Sequence, residues 1–310
     1  MHTETDVPSG RPASATPTPD DPRLARLSFN QRTIRAWSVR EAVEACVRYG
    51  VPSIGLWREP VKECGIEQTA TLISDSGLRV SSLCRAGFFS STDRTEWSKA
   101  IRDTERAIEE TARVGAHCLP LVPGGMDEGS NDLRGARSAF AEGLDRVAPV
   151  ARDHGVHLAV EPLSPMFCAD RGVVSTIDQA LSLVADYPAA DIGVILDTYH
   201  IWWDPKVEES IAIAGERISG YQACDWVLPI REEFHASRGM MGDGYADHAM
   251  LTSAVESAGY RGDYEVEVFN TQLWAANPDD AFRTILRRYV EYVAPREADH
   301  PTNGQERAER

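Results

Sequence analysis

Lysine is scarce in this chain, whose 310 residues include only Lys62, Lys99 and Lys206. None of the three stands at the end of a predicted buried strand. Schiff-base aldolases and pyridoxal enzymes, which need a lysine in the active site, are therefore disfavoured. The sequence also contains no GxSxG, no Walker A motif and no GxGxxG after its first strand. These absences argue against a serine hydrolase, a P-loop nucleotidase and an open dinucleotide-binding sheet.

Positive charge is also in deficit, because 32 Lys and Arg face 48 Asp and Glu, for a net charge of -16. Such a chain repels phosphate backbones and anionic membranes, so we expect neither nucleic acid nor a membrane as a partner. No apolar run approaches the length of a membrane span. The six cysteines show no CxxC spacing, which is typical of reduced thiols in a cytoplasmic protein.

The two ends of the sequence differ in composition from its middle. Residues 1–22 are rich in Pro, Thr, Ser and Asp without an apolar segment, which predicts a disordered tail rather than a signal peptide. Residues 296–310 have a similar composition and predict a second disordered tail. The remaining residues, 23–295, are expected to form one domain.

Strand-like and helix-like segments alternate through that domain. A capping box of Ser38 and Glu41 predicts the start of the first helix, Gly50 its end, and the pair Ser175/Asp178 and the run Asn277–Asp279 predict later helix starts. Eight strand–helix units in about 270 residues match a single (β/α)8 barrel, with an open doubly wound sheet as the alternative. The predicted strands are Leu27–Ile34, Val51–Trp57, Leu78–Cys84, His117–Val122, His157–Pro162, Gly193–Thr198, Ile218–Asp225 and Tyr264–Phe269.

Four polar residues stand at or near the ends of the last four predicted strands: Glu161, Asp197, Gln222 and Glu267. Active sites of such barrels lie at the carboxyl ends of the strands, and period-two alternation points these side chains into the barrel. Three carboxylates gathered in one mouth repel one another, and a bound divalent cation is the usual remedy. The alternative is that each acid caps a helix or pairs with an arginine.

Taken together, Glu161-Pro162, the run Asp197-Thr198-Tyr199-His200, a polar residue on strand seven and Glu267 resemble the xylose isomerase-like TIM-barrel family of sugar isomerases and epimerases. The loop 238–244 shares in the resemblance, which covers about 27–293. It implies a divalent metal held by Glu161, Asp197, Gln222 and Glu267. It also implies that His200 contacts the substrate and that Arg238 binds a substrate oxygen.

The strand-seven position departs from the family, which most often has His where this chain has Gln222. A glutamine carbonyl makes the ligand set all-oxygen with three negative charges, which favours Mn²⁺ or Mg²⁺ over Zn²⁺. The alternative for Gln222 is a buried amide bonded to the neighbouring backbone. Strand two also lacks the acid that relatives often carry, since its end reads Gly55-Leu56-Trp57-Arg58-Glu59.

Other residues near predicted strand ends complete the candidate site. Trp57 offers an aromatic face for a sugar, and Arg85 follows strand three, where it could bind a substrate anion. Trp202 and Trp203 would contact either a sugar or another subunit of a homo-oligomer. The histidines that flank the Arg238 loop, at 235 and 248, are expected at the surface.

The sequence therefore predicts a divalent-metal-dependent isomerase or epimerase acting on a sugar, a keto-sugar or a polyol. Glu161 and Glu267 would act as the acid–base pair and move a proton through an enediolate. The same first step serves a lyase that eliminates water or an aglycone from a keto-sugar or inosose, so this alternative stays open. A sugar-binding barrel without catalysis is the non-enzymatic alternative.

Overall fold

Eight parallel strands close into a barrel in the computed structural model, which describes residues 15–230 and 234–295. Each strand pairs with the next along the chain, and the last strand pairs with the first, so the sheet closes on itself. The predicted single (β/α)8 barrel is confirmed. The strands are β1 (Leu27–Asn30), β2 (Ser53–Trp57), β3 (Arg79–Cys84), β4 (Ala116–Val122), β5 (His157–Val160), β6 (Ile192–Asp197), β7 (Ile218–Ala223) and β8 (Tyr264–Val266).

Two short pieces add to the barrel strands. Ala86–Gly87 extends the pairing with β4, and Asp225–Trp226 pairs antiparallel with Arg238–Gly239 above β7. Helices fill the connections. They are α1 (Val39–Tyr49), α2 (Arg58–Cys64), α3 (Ile66–Ser76), α4 (Arg94–Val114), α5 (Leu133–Asp153), α6 (Ile177–Val184), α7 (Thr198–Ile201), α8 (Val207–Ala214), α9 (His248–Ser257), α10 (Thr271–Ala275) and α11 (Pro278–Arg288).

The predicted start and end of α1 are confirmed. The Glu41 backbone N–H donates to Ser38 Oγ at 3.3 Å, and Glu41 Oε2 accepts from the Ser38 backbone N–H at 2.8 Å. Gly50 ends the helix with φ 71°, in the left-handed region that a glycine adopts at low cost. Asn277 caps α11 as expected, because its Oδ1 accepts from the Asp280 backbone N–H at 3.2 Å.

The predicted cap of α6 is wrong by one residue. Thr176, not Ser175, is the N-cap, and its Oγ1 accepts from the Gln179 backbone N–H at 3.2 Å. The Gln179 side chain returns the bond, accepting from the Ser175 backbone N–H at 2.9 Å. Glutamine therefore fills the partner role that the prediction gave to Asp178.

The first strand is also shorter than predicted, ending at Asn30 rather than Ile34. The Asn30 side chain accepts from the Arg32 backbone N–H at 3.0 Å, a local bond that turns the chain out of the extended conformation. Gln31–Ile34 then forms a 3₁₀ helix at the barrel mouth. Arg32, predicted inside a strand, therefore lies on the rim.

The alternation predicted for the strands decides which side chains face inward. Leu158 and Val194 belong to the main apolar core, which packs between the barrel and its outer helices. The inward-facing Cys118, Ala159 and Ile195 form a separate small cluster inside the barrel. Side chains two positions apart point to the same face of a strand. Glu161 therefore faces inward like Ala159, and Asp197 faces inward like Ile195.

The predicted tails lie largely outside the part of the chain that the structure describes. Residues 1–14 and 296–310 fall there, whereas residues 15–22 are described and lead into a 3₁₀ helix, Pro22–Leu24. All six cysteines are free thiols. None of the helices in the described ranges has both the length and the apolar composition that a membrane crossing requires.

Candidate active site at the carboxyl ends of the strands

A cavity of about 290 Å³ opens at the carboxyl ends of the strands. Six of the predicted site residues line it together, as the geometry of a closed barrel requires. These are Trp57, Arg85, Glu161, His200, Arg238 and Glu267. The other two predicted residues lie deeper. Asp197 is fully buried beneath the cavity, and Gln222 lines a second cavity toward the opposite end of the barrel.

Glu161, Asp197 and His200 form one cluster on the β5–β6 side of the mouth. Ligand atoms of the three residues lie within 4.8 Å of one another. The helix α7 begins directly after β6, so His200 returns one turn later over Asp197, with Nε2 and Oδ2 3.8 Å apart. The same Nε2 lies 3.9 Å from Oε1 of Glu161.

His200 is a neutral, oriented imidazole. Its Nδ1 accepts a hydrogen bond from the Ser164 backbone N–H at 3.1 Å, which assigns the proton to Nε2. Burial lowers the pKa of His200 to about 3, outweighing the opposite effect of Asp197. Its Nε2–H therefore faces the two carboxylates and the cavity as a fixed donor.

Arg238 is the counter-charge of the acidic cluster. Its Nη1 lies 2.8 Å from Asp197 Oδ2 and 2.9 Å from Glu267 Oε2, and also donates to the Glu267 carbonyl oxygen at 3.2 Å. The guanidinium lies between the rings of Tyr199 and Phe269, with its Cζ 4.9 and 4.5 Å from their centroids. Burial opposes its charge, but Asp197 and the other nearby acids raise the pKa of Arg238 well above its usual range.

Glu267 shares a polar network with the barrel interior. Asn30 Nδ2 donates to Glu267 Oε1 at 2.9 Å and to Glu265 Oε1 at 2.6 Å. Gln222 Nε2 donates to the same two oxygens at 3.5 and 3.2 Å. The amide oxygen Oε1 of Gln222 is buried and has no hydrogen-bond partner among the described residues. Gln222 is thus bonded to side chains, not to neighbouring backbone as its alternative interpretation had it.

Two of the acids are costly to ionise in this environment. Burial, and next the charge of Asp197, raise the pKa of Glu161 to about 8, although Arg238 and Arg85 oppose the shift. Burial also raises the pKa of Glu267 well above its usual range, against the attraction of Arg238. A buried carboxylate pair of this kind is the situation that a bound divalent cation relieves.

The chemistry of these donors suits such a cation, and the structure holds them in two clusters. Glu161 and Asp197 lie together with His200, and Glu267 lies with Cys84 and Glu265, the ligand atoms of each cluster being within 4.8 Å of one another. The unpartnered Oε1 of Gln222 offers a further, neutral oxygen. Arg238 occupies the space between Asp197 and Glu267, so these two acids are neutralised by a guanidinium as the structure stands.

Residues that the sequence interpretation missed either line this cavity or belong to the buried polar network that Glu267 joins. Asn30 was placed inside a longer strand, although an amide at a strand end is the same signal that singled out Gln222. Glu265 shares a face with Glu267 by period-two spacing. It accepts from Ser81 and Ser82 at 2.6 and 2.8 Å in addition to the two amides. The cavity also contains Arg32, Arg35, Cys84, Phe167, Arg171, Phe269 and Trp274.

The expectation for the two flanking histidines holds for only one of them. His235 is exposed and lines the cavity. His248 is buried instead, with Nε2 3.4 Å from Asp225 Oδ2, because it begins α9 directly against the strand-seven loop. Trp202 is half-buried and stacks on Tyr245 at 6.1 Å between centroids.

Comparison with known proteins agrees with this geometry. Residues 43–291 match the family described as xylose isomerase-like TIM barrel. The chain belongs to that family. The resemblance seen in the sequence is thereby confirmed.

Two curated relatives have named activities. A 3-dehydroshikimate dehydratase of Pseudomonas aeruginosa is 29% identical over 69% of the chain, which spans only 34% of that protein's length. An inosose isomerase of Bacillus subtilis is 22% identical over 87% of the chain and 98% of that protein. The relatives of this family therefore include isomerases and a dehydratase.

Solved structures show the same barrel. A protein from Sinorhizobium meliloti 1021 superposes with a TM-score of 0.85 at 39% identity, covering 88% of this chain and all of that one. The IOLI protein, solved with a bound zinc atom, gives 0.76 at 21% identity, covering 86% of this chain and 98% of that one. At 21% identity, the similarity to the IOLI protein shows a shared fold and nothing more.

Proposed function

We propose that this protein is a divalent-metal-dependent isomerase or epimerase of a small keto-sugar or cyclic keto-polyol, which moves a proton at the carbon next to the carbonyl. The observation that carries the proposal is the pair of buried acids, Glu161 and Glu267, facing one cavity from β5 and β8. The cavity, at about 290 Å³, lies near the lower end of the roughly 300–1,000 Å³ usual for ligand pockets, so it suits a single small ring.

The acid–base roles follow from which carboxylate oxygens are already engaged. No side-chain or backbone group in the described residues donates a hydrogen bond to the Glu161 carboxylate, so in its ionised form this group is free to take a proton from carbon. Glu267 is held on one oxygen by Asn30 and on the other by Arg238, which fixes the group that returns the proton. The intermediate between the two steps is an enediolate.

Two donors orient the substrate oxygens. The Nε2–H of His200 points into the cavity beside Glu161, and Nε of Arg238 is buried without a partner among the described residues. Trp57 is nine-tenths buried and closes one wall, with its ring 5.6 Å from that of Phe269. Such aromatic walls pack against the apolar face of a ring and exclude water.

Glu161, Asp197, Glu267 and the Oε1 atom of Gln222 would hold the cation. When bound, it would supply Lewis-acid polarisation of the substrate carbonyl, which acidifies the neighbouring C–H. An all-oxygen donor set favours Mn²⁺ or Mg²⁺.

A dehydratase is the second candidate, supported by the similarity to 3-dehydroshikimate dehydratase. Loss of a β-hydroxyl begins with the same proton abstraction at the carbon next to a carbonyl. After that step, the second acid would protonate the departing hydroxyl instead of returning a proton to carbon. The residues and their places in the cavity are identical in the two candidates.

The test is hydrogen exchange with solvent. The Mn²⁺-loaded protein is incubated in D₂O with D-fructose, D-psicose, scyllo-inosose and 3-dehydroshikimate, and deuterium is followed by NMR. We expect label at the carbon next to the carbonyl of at least one compound, and a loss of at least ~10²-fold in exchange rate for Glu161→Gln. Glu44→Gln, at an exposed acid on α1, is the matched control.

The products separate the two candidates. An isomer or epimer supports the first, and an unsaturated product with release of water supports the second. If no compound in the panel exchanges or reacts while the control variant and wild type are folded alike, the proposed chemistry is wrong.

A further inference from the structure

The cavity walls are strongly cationic, in contrast to the rest of the chain. Five arginines line it, against the two glutamates at its base, an excess of three positive charges in a protein of net charge -16. The five are Arg32, Arg35, Arg85, Arg171 and Arg238. Such a local reversal of sign attracts an anion to one place on an otherwise repelling surface.

Only two of the five have an acidic partner. Arg238 pairs with Asp197 and Glu267, and Arg171 pairs with its neighbour Asp170 at 2.9 Å. The guanidinium groups of Arg32, Arg35 and Arg85 make no ion pair with any residue of the described ranges 15–230 and 234–295. Three positive charges on one wall are thus left for something else.

These three guanidinium groups are held by aromatic rings. Arg32 and Arg85 both contact Trp57, with Cζ 5.3 and 5.6 Å from the ring centroid, and Arg35 lies 4.4 Å from that of Trp274. Trp57 is itself fixed by Nε1 donating to Asn30 Oδ1 at 2.9 Å. Stacking restrains a guanidinium plane while its N–H edges stay free to donate, which is the arrangement that binds planar or tetrahedral anions.

Gathering these charges has a cost. Burial lowers the pKa of Arg32, and the charges of Arg35 and Arg85 lower it further. Glu59, which lies beyond ion-pair distance, opposes this shift. A neutral sugar would offer hydroxyl groups, which need no like-charge cluster to be recognised. A carboxylate or phosphate removes the repulsion and forms charge-assisted hydrogen bonds with the same groups.

We propose that the substrate carries an anionic group, a carboxylate or a phosphate, which binds between Arg32, Arg35 and Arg85. The keto end of the same molecule then reaches Glu161 and Glu267 at the base of the cavity. Only this second part rests on the proposed function. The anion site itself is defined by the three arginines and the tryptophans that hold them.

The test is calorimetric binding to the full-length protein with Mn²⁺ present. The probes are 3-dehydroshikimate as the carboxylate, D-fructose 6-phosphate as the phosphate, and scyllo-inosose and D-fructose as neutral compounds. We expect an anionic probe to bind more tightly than the neutral ones. Arg85→Gln or Arg32→Gln should then weaken the anionic probe roughly 10- to 150-fold, the range for one lost hydrogen bond to a charged group.

Matched variants separate charge at this site from general effects. Arg85→Lys keeps the charge and should retain part of the affinity, which also covers the case in which Arg85→Gln fails to fold. Arg102→Gln removes an exposed arginine of α4 outside the cavity, so it should leave the affinity unchanged. The neutral probes should bind the wild type and Arg85→Gln equally.

The two anionic probes tell the two anionic groups apart, because tighter binding of one identifies the group as a carboxylate or as a phosphate. If neither anion binds better than the neutral probes, or if Arg102→Gln weakens the anion as much as Arg85→Gln, the proposal is wrong. Tight anion binding without any hydrogen exchange would leave the anion site standing and overturn the proposed chemistry instead. Hydrogen exchange on the neutral probes alone would support the proposed chemistry and overturn the anion site.

Discussion

Replacing Glu161 with glutamine should make the metal-free protein more stable at alkaline pH. The pKa of Glu161 is raised from 4.5 to about 8, chiefly by burial and then by the charge of Asp197. The folded state therefore holds this proton more tightly than the unfolded chain. Its contribution to stability is fully present below about pH 4.5 and is lost as pH rises to about 8.

The size of the effect follows from the shift. One pKa unit corresponds to about 1.36 kcal/mol, so a rise from 4.5 to about 8 corresponds to roughly 5 kcal/mol of lost unfolding free energy. This is an upper limit, because the folded protein can relax and admit water around the ionised group. Glutamine is nearly isosteric and cannot ionise, so the variant does not incur this loss. Glu267 is still present in the variant, and its raised pKa makes the unfolding free energy of the variant also fall as pH rises.

The assay is urea unfolding in EDTA at about pH 5 and about pH 8.5, chosen to bracket most of the titration. The measured quantity is the difference in unfolding free energy between Glu161→Gln and the wild type. We expect this difference to grow in favour of the variant as pH rises. Glu44→Gln, at an exposed position on α1, should show a constant difference. Adding Mn²⁺ should make the wild type the more stable of the two at high pH. The wild type has the Glu161 carboxylate to bind the ion, whereas the variant lacks it.

A flat difference would refute the reasoning. If the two proteins differ by the same amount at both pH values, within about 0.5 kcal/mol, Glu161 is not ionising in a dry site. The same flat result together with normal Mn²⁺ stabilisation would mean that water reaches the carboxylate, and the burial on which the argument rests would be wrong.

Three further outcomes are expected. Gln222→His should shift metal preference toward Zn²⁺, Co²⁺ or Ni²⁺, because imidazole is a softer ligand, and an unchanged profile by metal titration would place Gln222 outside the coordination sphere. Arg238→Gln should destabilise the metal-free protein by about 3–5 kcal/mol in urea unfolding, since Asp197 and Glu267 lose their buried counter-charge, whereas a loss below about 1 kcal/mol would mean that the pair is solvated. Ser38→Ala should cost about 1 kcal/mol of stability through the α1 cap without changing activity, and an altered activity would contradict a purely structural role.

Much of the fold was predictable because its signals are local. Apolar runs of strand length, the capping box at Ser38 and the glycine stop at Gly50 each act within one element. The eight strands and α1 formed at the predicted places, although the end of β1 and the cap of α6 differ from the prediction. The end of β1 at Asn30, which was missed, also has a local cause, but one that ends an element instead of forming it. A side chain that bonds its own backbone ends a strand that its apolar neighbours would otherwise continue.

The site was predictable only where one strand end carried the signal. Glu161, Asp197 and Glu267 each stand at or just beyond the end of a buried strand, so the closed barrel brings them to the same end. The cationic wall was different, because Arg32 and Arg35 come from the β1–α1 connection and Arg171 from the β5–α6 connection, and nothing in their own sequence shows that they face one cavity. Their roles depend on the closure of the barrel, which is a property of all eight strands.

Three of the buried acids, Glu161, Asp197 and Glu265, also differ in a way that no composition or pattern reveals. Glu265 accepts hydrogen bonds from two serines, Asn30 and Gln222, so its charge is satisfied within the barrel. Asp197 accepts from the Tyr199 backbone and from Arg238. Glu161 has no such donor among the described residues and faces the cavity beside the neutral His200. A carboxylate left without internal partners in a cavity that a small molecule can enter is the group whose protonation a substrate or cation would change, and for this reason we assign the first proton transfer to it.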